Sequence, residues 1–486
     1  MKCVQFKLSY DWAGCGRRGR RPRRPAAVGV STNRRHPIAI GFEMHPVRFS
    51  FLCLAVFIHF FCAAQTKSWK TKTEDPDYLH RAIKKVTDVM VYDIYSPPVT
   101  SRTYAYITIA AYETVIQQDS NYLSLAGQLH QLQPIPKPEA GKEYSYTLAA
   151  VHAILTTGKA LVISEDKIED FQKGILQEFK NNGIPADVFN NSMAYGQKVA
   201  EHILAWAAND NYKQTRALSK YSVVDDAASW KPTPPAYIKG IEPNWNKMRT
   251  FIIDSAQQFK PLPAVNFSID RKSQFYKDAL AVHDIGLQLT PGQNEIANFW
   301  DCNPFKVNVR GHVMYATKKI SPNGHWINIT RLVCKKARAN VLQTAEAYAC
   351  LSVTLADCLI SCWDEKYRSI VIRPETYINQ YIDTNWLPAL QTPPFPEYTS
   401  GHSVISSAAA VTLAKLFGDN FSYADSTENE FGLPVRSFTS FKQAANEAAI
   451  SRFYGGIHYM PAIKYGLSEG NEMGEFITQK LKTRKP

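Results

Sequence analysis

A chain of 486 residues, 45% hydrophobic and 12% aromatic, has material for a large buried core and is too rich in aromatics for a disordered polypeptide. Its formal net charge of +13 suggests an anionic macromolecular partner only at first sight. Residues 1–64 hold 11 Lys and Arg against 2 Asp and Glu; the remainder carries 45 against 41, a near-neutral balance that argues against nucleic acid.

The N-terminal region reads as a leader. Met44 to Arg48 gives a basic start, Phe49 to Phe61 an apolar stretch, and Ala63-Ala64 the small residues of a cleavage point. Residues 44–64 are therefore expected to be a secretory signal removed before Gln65. The apolar stretch is too short to span a bilayer, and no later segment has the length and purity of a spanning helix. Residues 1–43 carry the basic run Arg17 to Arg24, which in another chain would serve as a nucleic-acid arm. Ahead of a signal, they are read as a mis-assigned upstream extension, with Met44 as the start. Five cysteines follow the leader: Cys302, Cys334, Cys350, Cys358 and Cys362. Export would permit two or four of them to pair, but a role as small buried hydrophobes suits most. No Cys and His spacing typical of zinc occurs.

Apolar residues then recur at helical spacing over 77–95, 101–117, 143–161, 165–181 and 185–208. Residues 221–263 lack a period and are rich in Pro and Trp, as in a long ordered connection. Residues 331–363 read as one long helix, and 402–417, 441–454 and 461–480 as three more. No alternating strand pattern, fixed-period repeat or low-complexity tract is evident. The expected fold is mainly α, a large helical bundle. Residues 66–320 form an N-terminal helical half that buttresses the site, and 321–486 carry most of that site.

Three short segments hold the chemistry. The first places Lys366 and Arg373-Pro374 seven residues apart, the second is Ser400-Gly401-His402, and the third runs from Ser451-Arg452 to His458. They supply three cations, a hydroxyl, a glycine amide and two imidazoles. Arginine offers forked donors matched to tetrahedral oxyanions, and lysine adds a compact charge. One histidine can bond the central atom while the other moves protons. Gly401 and the free amides of a helix starting at His402 suit an anion, and the helix dipole would lower the pKa of that imidazole. Each segment alone has a bland reading: a solvated helix face, a turn, or a core histidine.

Together the segments match Lys-x6-Arg-Pro, Ser-Gly-His and Ser-Arg-x5-His. The chain thus resembles the superfamily of type 2 phosphatidic acid phosphatases and vanadium-dependent haloperoxidases. Phe299 to Pro304 and His325-Trp326 also resemble its bacterial haloperoxidase-like branch. The resemblance implies that Lys366, Arg373, Ser400, Gly401 and Arg452 bind the oxygens of vanadate or phosphate. His458 would be the vanadium ligand or phosphohistidine nucleophile, and His402 the acid–base residue. Lys366 would also draw electron density from peroxide. The implied reaction is oxidation of iodide or bromide by hydrogen peroxide to hypohalous acid, with vanadate as cofactor.

The alternatives are a cofactor-free acid phosphatase acting on phosphomonoesters through a phosphohistidine, and a non-catalytic oxyanion-binding protein. Many phosphatases of the superfamily carry an Asp four residues after the last His; here that position is Ala462, which favours the peroxidase. Three further residues are expected around the site. Asp301 would orient Arg452, or be an ordinary helix-end carboxylate. Phe395 and Trp363 would wall the halide pocket, or be core aromatics.

Overall fold

The computed structural model describes residues 69–486, so the expectations for residues 1–43 and 44–64 lie outside it. The chain runs through α1 (Asp77–Tyr92), α2 (Pro97–Val115), α3 (Tyr146–Leu161), α4 (Glu165–Asn181), α5 (Ala186–Ala207) and the short α6 (Tyr212–Ala217). Helix α2 starts at Pro97, earlier than its periodicity suggests. The Ser96 side chain accepts from the Val99 amide, and a proline in the first turn has no N–H to lose there.

The connection that follows contains one 3-10 turn, Trp245–Lys247. It is fastened to the bundle by Asp357, whose buried carboxylate accepts the amides of Phe251, Ile252 and Ile253 at 2.7, 2.8 and 3.1 Å. Helices α7 (Gln274–Leu287) and α8 (Pro291–Phe299) come next, unanticipated from the sequence. Strands β1 (Val307–Arg310) and β2 (Val313–Ala316) then form an antiparallel hairpin with Val307 opposite Ala316.

The long helix expected over 331–363 is two helices, α9 (Pro322–Ala337) and α10 (Val341–Ser369). Arg338 turns the chain with φ at 52°, and Asn340 restarts it through a capping box with Gln343. The remainder comprises α11 (Pro374–Tyr381), α12 (Gly401–Phe417), β3 (Tyr423–Asp425), a 3-10 turn (Thr427–Phe431), β4 (Arg436–Phe438), α13 (Phe441–Tyr454) and α14 (Met460–Lys480). The two short hairpins, β1–β2 and β3–β4, decorate a mainly helical fold.

Helix α10 forms the axis of the core. It is buried almost continuously from Val341 to Lys366 and packs against α2, α12 and α14. Among the described residues it alone is long and apolar enough to cross a membrane, but it is enclosed on every side, as a core helix should be. One apolar cluster draws on residues on both sides of position 320. Helix α14 approaches α12 along Gly466, Gly470 and Gly474. A Cβ at Gly470 would fall 2.1 Å from the Val404 carbonyl oxygen, so only glycine allows this spacing. The close approach sets α14 beside the helix whose first residues carry the Ser-Gly-His segment. The five cysteines are buried and unpaired.

Candidate active site

Ends of helices deliver the residues. Lys366 lies in the last turn of α10, and Arg373 is the residue from which α11 starts. Ser400 caps α12, with Gly401 and His402 in its first turn. Arg452 lies in the last turn of α13, and His458 in the short link to α14. The side chains of Lys366, Arg373, Ser400, Arg452 and His458 are all buried. Gly401, His402, Arg452 and His458 line a small cavity of about 30 Å³, together with Cys302, Phe305, Trp363 and Phe395.

His458 sits between two partners. Its Nδ1 lies 2.8 Å from Glu397 Oε1, which also accepts the Tyr459 amide at 3.0 Å. Its Nε2 lies 3.1 Å from Arg373 Nη1. With Nδ1–H donated to the carboxylate, Nε2 is unprotonated and its lone pair accepts the Arg373 Nη1–H, a contact that ligation of an anion would replace. This corrects the inference drawn from Ala462. The missing carboxylate is replaced by Glu397 from the loop ahead of Ser400, so Ala462 is no argument against phosphohistidine chemistry. Ala462 instead offers its carbonyl to the Ser400 amide at 3.1 Å. Glu397 stands within the second segment, but no local pattern signals its contact with His458.

The arginines are pre-positioned by backbone oxygens. Arg373 Nε donates to the Phe395 carbonyl at 2.9 Å and Nη1 to the Ile457 carbonyl at 2.8 Å. Arg452 Nη1 donates to the Trp300 carbonyl at 2.9 Å. Each retains a buried nitrogen without a protein partner, Nη2 on Arg373 and Nε on Arg452. His402 also hydrogen-bonds the Trp300 backbone, and its Nε2 is buried without a partner. Such orphaned groups are costly unless a ligand satisfies them.

The expected roles of Asp301 and Lys366 look different in space. Asp301 Oδ2 accepts from Lys306 Nζ at 3.3 Å and Lys319 Nζ at 2.8 Å. Its charge acts on Arg452, but the Trp300 carbonyl provides the orienting hydrogen bond. Lys366 Nζ donates to the carbonyls of Pro396 at 3.2 Å, Glu397 at 3.1 Å and Thr399, so its donors are spent on the second segment. Ser400 Oγ lies 2.9 Å from Ser403 Oγ within its cap. Phe395 and Trp363 pack ring to ring at 5.0 Å and form the apolar wall. A Cβ at Gly401 would meet nothing nearer than 3.8 Å, so protein packing alone does not require glycine there.

Burial sets the electrostatics. Desolvation lowers Lys366 to about 8 and Arg373 to about 10, and it also lowers Arg452. Desolvation, then neighbouring cations, hold His402 and His458 well below the ordinary imidazole value. Burial raises Glu397 to about 7. Near neutral pH the site thus combines buried cations with two neutral imidazoles, an arrangement that receives an oxyanion and accepts a proton.

A helical bundle with this site is that of an oxyanion-dependent enzyme, and comparison with known proteins narrows the class. The family described as the VCPO second helical-bundle domain matches residues 346–484. The structure of the first bacterial vanadium-dependent iodoperoxidase superposes with a TM-score of 0.81 at 49% identity, covering 85% of this chain and 98% of that one. The apo and holo forms of a bacterial vanadium-dependent chloroperoxidase share the fold, both with a TM-score of 0.60, at 15% and 14% identity. Those alignments cover 80% of this chain in each case, and 95% and 94% of the chloroperoxidase chains. No curated protein matches. The chain belongs to the vanadium-dependent haloperoxidase family and is an enzyme of that kind.

Proposed function

We propose that the enzyme oxidises iodide with hydrogen peroxide and a proton to hypoiodous acid and water. Vanadate would be held by Arg373, Ser400, Gly401 and Arg452, with His458 as its ligand and Lys366, its donors engaged by three carbonyls, contributing charge alone. The observation that carries this assignment is the set of orphaned nitrogens. Arg452 Nε and His402 Nε2 belong to residues lining one cavity, and Arg373 Nη2 lies on the guanidinium bonded to His458. The two arginine nitrogens are donors that fit an oxyanion, and the unshared His402 Nε2 can take a proton beside it. The 49% identity to an iodoperoxidase favours iodide, which is also the most readily oxidised of the candidate halides.

Bound vanadate supplies Lewis acidity that makes a peroxide oxygen electron-poor. The protein supplies the rest. Glu397 accepts the Nδ1–H of His458, which leaves Nε2 unprotonated and able to ligate the anion. His402, neutral and with Nε2 unshared, takes the peroxide proton. The arginines and Lys366 keep positive charge around the oxygens in a buried site. Trp363 and Phe395 present halide with an apolar wall.

The purified protein, given vanadate, peroxide and a halide, should oxidise iodide faster than bromide and be inhibited by phosphate. His402→Ala should retain vanadate and lose turnover on the order of 10²–10⁴-fold. Brisk phosphomonoester hydrolysis by vanadate-free protein, with vanadate only inhibiting, would instead establish a phosphatase. We also infer export directed by residues 44–64; mass spectrometry of the exported chain should find an N-terminus near Gln65, and retention of Arg17 to Arg24 would disprove it.

A further inference from the structure

Beside the catalytic cavity lies a cluster that the proposed chemistry leaves idle. Cys302 follows Trp300 and Asp301, His325 sits in the first turn of α9, and Glu428 belongs to the 3-10 turn after β3. Cys302 Sγ is 3.3 Å from His325 Nδ1, that nitrogen is 3.2 Å from Glu428 Oε1, and Sγ to Oε1 is 4.0 Å. All three side chains are buried, with relative exposures of 2%, 0% and 1%.

We propose that Cys302, His325 and Glu428 bind one divalent transition-metal ion of borderline softness, zinc foremost, at a site separate from that for vanadate. Thiolate, imidazole and carboxylate are the three ligand classes zinc takes from proteins. With zinc–ligand bonds of about 2.0–2.3 Å, neighbouring donors of a tetrahedron stand roughly 3.3–3.7 Å apart. The three separations here lie within about half an ångström of that range.

The surroundings are also those of a metal ligand set. His325 Nε2 lies 2.8 Å from Asp425 Oδ2, and Asp425 Oδ1 accepts the Thr427 amide at 2.9 Å. A carboxylate on Nε2 leaves the Nδ1 lone pair for a metal, the arrangement by which outer groups orient histidine ligands. The imidazole is stacked on Trp300 with centroids 4.5 Å apart and planes 20° from parallel, which fixes its plane. Sequence spacing could not reveal this set. Its members come from three separate segments, and their proximity is created by the docking of α9 and the β3 turn against the Trp300 segment.

Binding would release the Cys302 thiol proton and any proton on His325 Nδ1, leaving thiolate and neutral imidazole as ligands. The ion would clamp the segment whose Trp300 carbonyl accepts from Cys302 N at 2.8 Å and from Arg452 Nη1 at 2.9 Å. It therefore has a direct structural route to the oxyanion pocket.

Metal analysis of the purified protein should find about one zinc per chain, removed by a strong chelator and undisturbed by phosphate. Cobalt(II) added to the chelated protein should give a thiolate-to-cobalt absorption band. Cys302→Ser should lose that band, and both Cys302→Ser and Glu428→Gln should lose retained zinc while keeping the wild-type far-UV circular dichroism. Chelation should weaken vanadate binding about tenfold, the scale on which outer groups affect such sites. A purified protein without zinc, showing no cobalt band and no rise in melting temperature with zinc, would overturn the proposal. The triad would then be a proton-bridged cluster, with imidazolium between Asp425 and Glu428. If a serine variant misfolds, the cobalt band and the zinc-induced melting shift of wild type and Glu428→Gln still decide the question.

Discussion

As the proposed vanadate ligand, His458 needs one nitrogen tethered and the other unprotonated, and the tether is Glu397. Its Oε1 serves both the Nδ1–H of His458 and the Tyr459 amide, so truncation would leave two buried donors unsatisfied. Glu397→Ala should weaken vanadate binding about 10–100-fold, whereas Glu397→Gln keeps a carbonyl acceptor and should recover most of that loss. Isothermal titration with vanadate separates the two, and equal affinities in both variants would show that Glu397 does not orient the ligand. The sequence marks the proposed catalytic residues because an oxyanion calls for those residue types at close spacing. It does not mark Glu397, which lies 61 positions from its histidine and becomes its partner only when the loop before α12 meets the link after α13.

Helices α10, α12 and α14 are locked together beneath the site by one buried acid. Glu469 on α14 accepts the Thr399 hydroxyl, just ahead of α12, at 2.8 Å and the Ser361 hydroxyl of α10 at 3.1 Å. Burial raises its pKa from 4.5 to about 8. The folded chain therefore holds a proton that the unfolded chain releases. This contribution to stability is complete below about pH 4.5 and is lost as pH rises toward 8. Glu469→Gln retains an acceptor but cannot titrate, so its melting temperature should fall less than that of wild type between pH 5 and 8. Glu397, raised to about 7, acts in the same direction and keeps the variant's slope from vanishing. Identical slopes for the two proteins would refute the linkage. Periodicity located α4 and α13 at their observed bounds, because their apolar faces repeat without interruption. It fused α9 with α10 because both are apolar and the break rests on one left-handed residue, Arg338, which no propensity announces.

The whole molecule encloses a group of desolvated cations, and the binding of the proposed oxyanion should be felt in global stability. Desolvation holds Lys366, Arg373 and Arg452 below their ordinary pKa values, a cost that a bound oxyanion offsets. Vanadate at a hundredfold excess over Kd should stabilise the fold by about 2.7 kcal/mol, with phosphate competing for the same site. Arg373→Ala and Arg452→Ala should each abolish the rise in melting temperature. A shift that survives in both variants would place the anion elsewhere.

The helical class, the order of most helices and the residues proposed to bind the oxyanion are all written along the chain. Helical periodicity is a local property, and an oxyanion demands particular residue types in closely spaced groups. The pairing of Glu397 with His458, the capture of Lys366 by three carbonyls and the meeting of Cys302, His325 and Glu428 come from packing. Each joins segments whose spacing carries no signal, and each exists only once packing has brought those segments together.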